Sequence, residues 1–248
     1  MKERVIVSLT SFPGRINIVW KTIVTLLNQT YKPNKIILWL SENQFESKES
    51  LPKKLRILED YGLEIRMVPE DFKSHKKYLY AFQEFPDDYV LLVDDDILYP
   101  SDTIEALMKN ISPNKVHCSY GSIIKYDENG KPANYENWQS VLHIYSGPDF
   151  FFGSGGGTLL MPSNLYSEVV DIEKAMELCP YADDIWLNTM CRLSEVKIEK
   201  VRTGLIFPSI NNDKETLYRK NIGENQNNAQ LKKIISKYPT LFQKKIKS

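Results

Sequence analysis

Cysteine, histidine and long apolar runs are what this chain of 248 residues has least of. Its three cysteines, Cys118, Cys179 and Cys191, lie far apart and lack metal-ligand spacing. That excludes a disulfide scaffold or a zinc knuckle and fits buried thiols in a reducing cytoplasm. His117 and His143 show no ligand spacing either and read as structural residues. No apolar stretch approaches the ~20 residues needed to span a bilayer. Met1-Lys2-Glu3-Arg4 leads straight into a strand-like run without a signal-type segment, so a cytoplasmic location is expected. The formal net charge of +0 offers no general argument for nucleic-acid binding.

What is present supports a sizeable core: 42% of residues are hydrophobic and 26% charged. Arg4–Thr10 (RVIVSLT), Lys35–Leu40 (KIILWL), Glu64–Val68 and Tyr89–Val93 read as strands. Between them lie helical patterns: Ile16, Val19, Trp20, Ile23, Leu26 and Leu27 up to about Gln29, a helix from Pro52 with Leu55 and Leu58, and Lys73–Phe85. This alternation predicts a doubly wound, mostly parallel α/β sheet with helices on both faces. A helix capped by Ser101 or Asp102, strands at Val116–Lys125, Thr158–Met161 and Val196–Val201, and a helix opening at Asp183 continue the pattern. Residues 1–208 are expected to form one domain. Residues 209–248 form an Asn-rich, then basic and amphipathic appendage. Its last eighteen residues hold six lysines and no acid, leaving −6 on the remainder.

The chain is organised around Tyr89-Val90-Leu91-Leu92-Val93-Asp94-Asp95-Asp96, an apolar run ending in three carboxylates. Such a run reads as a strand buried on both faces, and in parallel sheets ligands collect at the carboxyl ends of strands. Three adjacent like charges repel unless something positive joins them. Hard oxygen ligands suit Mg²⁺ or Mn²⁺, which commonly also hold substrate phosphates. The alternative is a solvated acidic turn. A calcium loop is excluded, because its positions 5 and 6, which need an oxygen ligand and Gly, are Leu98 and Tyr99.

Three other stretches carry chemistry. Gly153-Ser154-Gly155-Gly156-Gly157 fits neither a dinucleotide fingerprint nor a P-loop, but Gly155 and Gly156 would let the backbone approach a sugar or phosphate. The bland alternative is a flexible turn before a strand. Asp183-Asp184 opens a helix, where one carboxylate suffices as a cap and the other is free to act as a general base. In Lys73-Ser74-His75-Lys76-Lys77, cations stand at a helix start against the dipole, which directs Lys76 or Lys77 toward a phosphate or the triplet; a solvated face is the alternative.

In this order, Ser8-Leu9-Thr10-Ser11-Phe12-Pro13-Gly14-Arg15-Ile16, Asp94-Asp95-Asp96, Gly153–Gly157 and Ala182-Asp183-Asp184-Ile185-Trp186 resemble small bacterial glycosyltransferases of the GT-A fold. These are family-2-like enzymes of capsule, exopolysaccharide or lipopolysaccharide synthesis. A more distant likeness is to exostosin-type transferases.

The resemblance implies a nucleotide-binding half (1–100), an acceptor half (101–208), and transfer from a nucleotide-diphosphate sugar, expected to be UDP-linked, to a glycan or lipid-linked hydroxyl. It implies Mn²⁺ or Mg²⁺ on Asp96 and Asp94, the nucleotide near Thr10, Arg15, Asp94 and Asp95, and Asp184 or Asp183 as the base. No His follows His143 to serve as the late metal ligand of many GT-A enzymes; Asn211, Asn212, Asp213 or water would substitute. Leu231, Ile234, Ile235 and Tyr238, flanked by lysines, suit either an anionic membrane surface or packing on the domain. A sugar nucleotidyltransferase and a non-catalytic carbohydrate-binding protein remain alternatives. The former should carry a Gly-rich, basic loop after the first strand, and the latter a broken triplet.

Overall fold

The computed structural model describes residues 3–202, 208–210 and 226–244. Its first half is built from Val5–Thr10 (β1), Val19–Leu27 (α1), Lys35–Ser41 (β2), Lys53–Arg56 (α2), Leu63–Val68 (β3), Lys76–Glu84 (α3), Tyr89–Val93 (β4) and Thr103–Met108 (α4). The second half adds Lys115–Cys118 (β5), Gly121–Ile123 (β6), Gln139–Ser140 (β7), Tyr145–Ser146 (β8), Phe150–Phe152 (β9), Gly156–Leu160 (β10), Ile172–Leu178 (α5), Asp183–Leu193 (α6), Lys197–Lys200 (β11) and Gln226–Lys237 (α7).

An eight-stranded sheet runs β3-β2-β1-β4-β10-β5-β11-β8, and a three-stranded sheet runs β7-β6-β9. The first-half strands pair in parallel, as their helical crossovers require. β10 is the exception in the middle, antiparallel to both β4 and β5. All five residues of β4 are buried. Val90 and Leu92 join a core with Tyr78, Phe82 and Trp186 on one face; Leu91 and Val93 join Val19, Ile23 and Leu26 on the other. Burial on both faces explains why this strand reads as a continuous apolar run. The strand order reverses between β1 and β4, and at such a switch point ligands collect beyond the carboxyl ends of the strands, here beside Ser11 and Asp94.

Several boundaries differ from expectation. The single strand expected over Val116–Lys125 is two, β5 in the large sheet and β6 in the small one. The chain changes sheets where Gly121 packs its backbone against the Phe150 ring, leaving no room for a side chain. At α4 neither Ser101 nor Asp102 caps through its side chain: Asp102 sits at the N-cap position but pairs with Arg202 at 2.9 Å.

The basic C-terminal helix forms as α7, with Leu231 and Ile234 buried. It packs on α5 and α6, so its apolar stripe is covered by the domain, while Lys232, Lys233 and Lys237 stay exposed. Of the two expected roles for that stripe, packing is the one observed. No helix among the described residues is long and apolar enough to cross a membrane.

Candidate active site

The triplet follows the last residue of β4 and turns, so its three side chains go to different partners. Asp95 turns inward and is 5% exposed. Its carboxylate accepts from Ser11 Oγ and Arg15 Nη1, each at 2.6 Å, and its carbonyl from Thr22 Oγ1 at 3.0 Å. Asp94 and Asp96 take the open side. Asp94 lies 2.9 Å from Lys77 Nζ, and Asp96 lies 3.1 Å from Arg15 Nη2 and 3.3 Å from Ser209 Oγ. The chain at 208–210 runs alongside, with the Ile210 amide donating to the Asp96 carbonyl at 2.8 Å.

Two expectations change here. Asp95, expected to meet the nucleotide, is a buried anchor for the loop after β1. The charge repulsion expected to call for a metal is met by two protein cations, Lys77 on Asp94 and Arg15 on Asp95 and Asp96. Among the described residues, no group of three or more His, Cys, Asp or Glu side chains stands ready to hold a metal ion. Asn211, Asn212 and Asp213 lie outside the described residues. Burial, and then the charge of Asp94, pushes the Asp96 carboxyl up to about 6 despite Arg15.

Thr10 and Lys76 are not brought to the triplet. Thr10 Oγ1 donates across the sheet to the Trp39 carbonyl at 2.8 Å, and Lys76 Nζ pairs with Asp71. Lys77 is central instead. It is 3% exposed, and besides Asp94 its Nζ meets Asp183 Oδ2 at 3.1 Å. The Ser8 hydroxyl bonds the Lys77 carbonyl, tying α3 to β1. A charge at a helix start that opposes the dipole is thus held by two carboxylates.

The glycine run lies between the two acidic groups. A Cβ on Gly155 would overlap the Asp94 carboxyl group, and one on Gly156 would sit 2.6 Å from Tyr120 Cβ. These glycines therefore admit protein groups at close range, where a ligand was expected. The Gly155 carbonyl accepts from the Asp94 amide at 3.1 Å and from the Tyr99 hydroxyl. Ser154 Oγ donates to Asp183 Oδ2 at 2.6 Å.

Asp183 and Asp184 are the first residues of α6, with Ala182 at the N-cap, so neither is the capping residue. Asp183 is held by Lys77 and Ser154. Asp184 accepts from the Ile185 amide at 2.8 Å and from Tyr135 Oη at 2.9 Å. Their acidities diverge. Burial pushes Asp183 upward, but Lys77, His75 and Ser154 outweigh it and bring the carboxyl down to about 2. Burial and the neighbouring Asp183 charge push Asp184 up to about 6. Asp183 therefore stays charged at neutral pH, while Asp184 titrates close to it.

Sequence reasoning did not single out Tyr135, Ser154, Ser11 or Tyr99. Ser154, inside the glycine run, and Ser11, inside the motif after the first strand, carried a signal. Tyr135 comes from an aperiodic, aromatic-rich stretch, and its contact with Asp184 spans 49 positions.

The geometry accords with the comparisons to known proteins. Residues 12–161 match the model of glycosyl transferase family 2. That span contains Arg15, Lys76, Lys77, the triplet and the glycine run, and leaves Thr10 and Asp183–Asp184 outside. A search of curated proteins finds no match. Among solved structures, the chain is similar to the mannosyltransferase PcManGT from Pyrobaculum calidifontis, in complex with GDP-Man and Mn²⁺. The TM-score is 0.59 and the identity 15%, covering 96% of this chain and 65% of that one. This chain therefore spans just under two thirds of that enzyme's length. It is also similar to a 4-diphosphocytidyl-2C-methyl-D-erythritol synthase, with a TM-score of 0.52, 7% identity, and 90% and 98% of the two chains covered. At such identities the likeness speaks for the fold, which is the GT-A fold of nucleotide-sugar transferases. With more than half of its length matched by the family model, the chain belongs to glycosyl transferase family 2.

Proposed function

We propose that the chain transfers a sugar from a nucleoside-diphosphate sugar to a hydroxyl of a glycan or lipid-linked acceptor, with Asp94 and Asp96 on the donor side and Asp184 as the general base. The observation that carries this reading is that Lys77 pairs with both Asp94 and Asp183, which brings the two acidic groups side by side. A carboxylate of pKa about 6 is ionised at neutral pH yet still basic enough to accept a proton. Asp184 takes the proton of the acceptor hydroxyl as that oxygen bonds to the anomeric carbon. The bond from that carbon to the diphosphate breaks, and its electron pair leaves with the diphosphate. Arg15 and Lys77 supply positive charge beside that leaving group.

A divalent cation fits this donor set with help from the substrate. Asp94 and Asp96 offer hard carboxylate oxygens on the open side, with the Ser209 hydroxyl beside Asp96. They would hold the ion, and donor phosphates and water would complete its shell, as is usual for Mg²⁺. When bound, Mn²⁺ or Mg²⁺ supplies charge neutralisation for the departing diphosphate.

A nucleotidyltransferase is disfavoured. Ser11–Arg15 contains a single glycine, where that class should carry a Gly-rich, basic loop after the first strand. For a lipid-linked acceptor, exposed Lys232, Lys233 and Lys237 suit an electrostatic contact with an anionic bilayer without insertion. The test of the main reading is a thermal-shift screen of UDP- and GDP-linked sugars with and without Mn²⁺. A rise in melting temperature that needs both sugar nucleotide and metal is expected, and no rise with any pair would overturn the reading.

A further inference from the structure

Lys77 is the one side chain described that touches both acidic groups. Its ammonium is buried, its distances to Asp94 and Asp183 are 2.9 and 3.1 Å, and its backbone is tied to β1 through Ser8. The two carboxylates come from different places: Asp94 ends β4, and Asp183 starts α6. The glycine run follows the same line, with Gly155 against Asp94 and Ser154 bonded to Asp183.

We propose that Lys77 is a positioning residue for transfer: one ammonium shared by Asp94 and Asp183 fixes the donor-side and base-side carboxylates at a set separation. The proposal rests on the functional reading above. One ammonium cannot neutralise both acids, so its place between them holds the two carboxylates together without cancelling their charge. Anything that neutralises Asp94 on the donor side releases the ammonium toward Asp183, which quiets the charge felt by the adjacent base. Donor loading and base readiness are thereby linked through one atom. The titratable groups facing Asp184 are Asp183 on its own helix, Tyr135 from the segment before β7, Lys77 from α3, and Cys179 ahead of α6. Of these, Lys77 is the cation.

The test compares wild type with Lys77→Met, Lys77→Arg and the double variant Lys77→Met/Asp183→Asn. UDP and GDP binding with Mn²⁺ is followed by calorimetry, and nucleoside-diphosphate release from UDP-glucose and GDP-mannose is followed across pH. For Lys77→Met, nucleotide affinity should stay within about tenfold while release slows about a hundredfold, the scale expected for misplaced reacting groups. The acid limb of the rate should move up by at least about half a pH unit, because the acid pair loses its compensating cation. Lys77→Arg should recover part of the rate. The double variant should regain thermal stability, since no buried charge is left unpaired at Asp183, but not the rate.

Recovery of the full rate in the double variant would reduce Lys77 to neutralising Asp183 and overturn the proposal. Nucleotide affinity falling as far as the rate would make Lys77 a donor ligand only, which also overturns it. If Lys77→Met does not fold, Lys77→Arg and the double variant carry the same comparison. A wild type that binds neither UDP nor GDP removes the functional reading, and this proposal with it. A wild type that binds while the variants fail as described removes the proposal alone.

Discussion

The backbone of Gly155 lies so close against the carboxyl group of Asp94 that no side chain fits between them. The same glycine offers its carbonyl to the Asp94 amide and the Tyr99 hydroxyl, so the loop and the end of β4 are one unit. Gly155→Ala should therefore push Asp94 from its place beside Lys77. Overpacking of this kind typically costs about 1–3 kcal/mol. The expected result is a folded protein with a lowered melting temperature and a loss of Mn²⁺-dependent UDP or GDP affinity of about tenfold or more, read by calorimetry. Wild-type affinity in the alanine variant would mean that Asp94 does not serve the donor.

Asp95 and Asp96 are neighbours with opposite duties, and conservative amides separate them. Asp95→Asn weakens the buried contacts to Ser11 and Arg15 and should cost on the order of 1–3 kcal/mol of stability. Asp96→Asn removes a carboxylate that burial and Asp94 already disfavour, so the fold should tolerate it. Metal-dependent nucleotide binding should nevertheless be lost. Paired denaturation and binding curves for the two variants check this, and a reversal of the pattern would reassign the triplet.

Much of this was legible because the signals are local. β4 is buried on both faces and so spells itself as an unbroken apolar run, and the alternation of strands and helices over residues 5–93 needs no long-range information. The acidic groups announce themselves as motifs. What was not legible depends on partners distant in the chain. Nothing adjacent to Asp95 says that Ser11 and Arg15, more than 79 positions away, will turn it inward. Lys76 and Lys77 are equivalent in sequence, yet one helical step sends the first to Asp71 and the second to Asp94 and Asp183. The glycine run was legible as a place of close approach, but not that the approaching groups are Asp94 and Tyr120.

The acid pair makes a prediction about pH. Asp184, at about 6 in the fold, lies above its ordinary value of 3.8, so its ionisation destabilises the native state. That contribution is favourable at low pH and is lost as pH rises from about 4 to about 6. Asp183, at about 2, works the other way: its stabilisation is present above about 4 and disappears as pH falls toward 2. Asp184→Asn should accordingly raise stability at pH 7.5, by on the order of 1–3 kcal/mol, while abolishing transfer and sparing nucleotide binding. In the wild type, nucleoside-diphosphate release should fall about tenfold per pH unit below about 6. A flat profile down to pH 5, or an active asparagine variant, would remove Asp184 as the base.

The C-terminal helix reaches the base through Tyr135. Asn228 on α7 accepts from the Tyr135 amide at 2.7 Å and donates to Glu136 at 2.8 Å, while Gln230 accepts from the Tyr181 amide at 2.8 Å. Tyr135 in turn bonds Asp184, and Tyr181 precedes it by three positions. The Asn-rich stretch that carried no motif in the sequence thus braces both segments flanking the acid pair. Asn228→Ala leaves the apolar contacts of Leu231 and Ile234 in place, so α7 should stay docked, at a cost of about 1 kcal/mol for the lost hydrogen bonds. The turnover number should drop severalfold as Tyr135 loosens, with UDP or GDP affinity unchanged, because the side chain that Tyr135 holds is the base, Asp184. Kinetics and calorimetry on the same preparation separate the two effects. Equal losses in both would show that α7 supports the whole fold rather than the base.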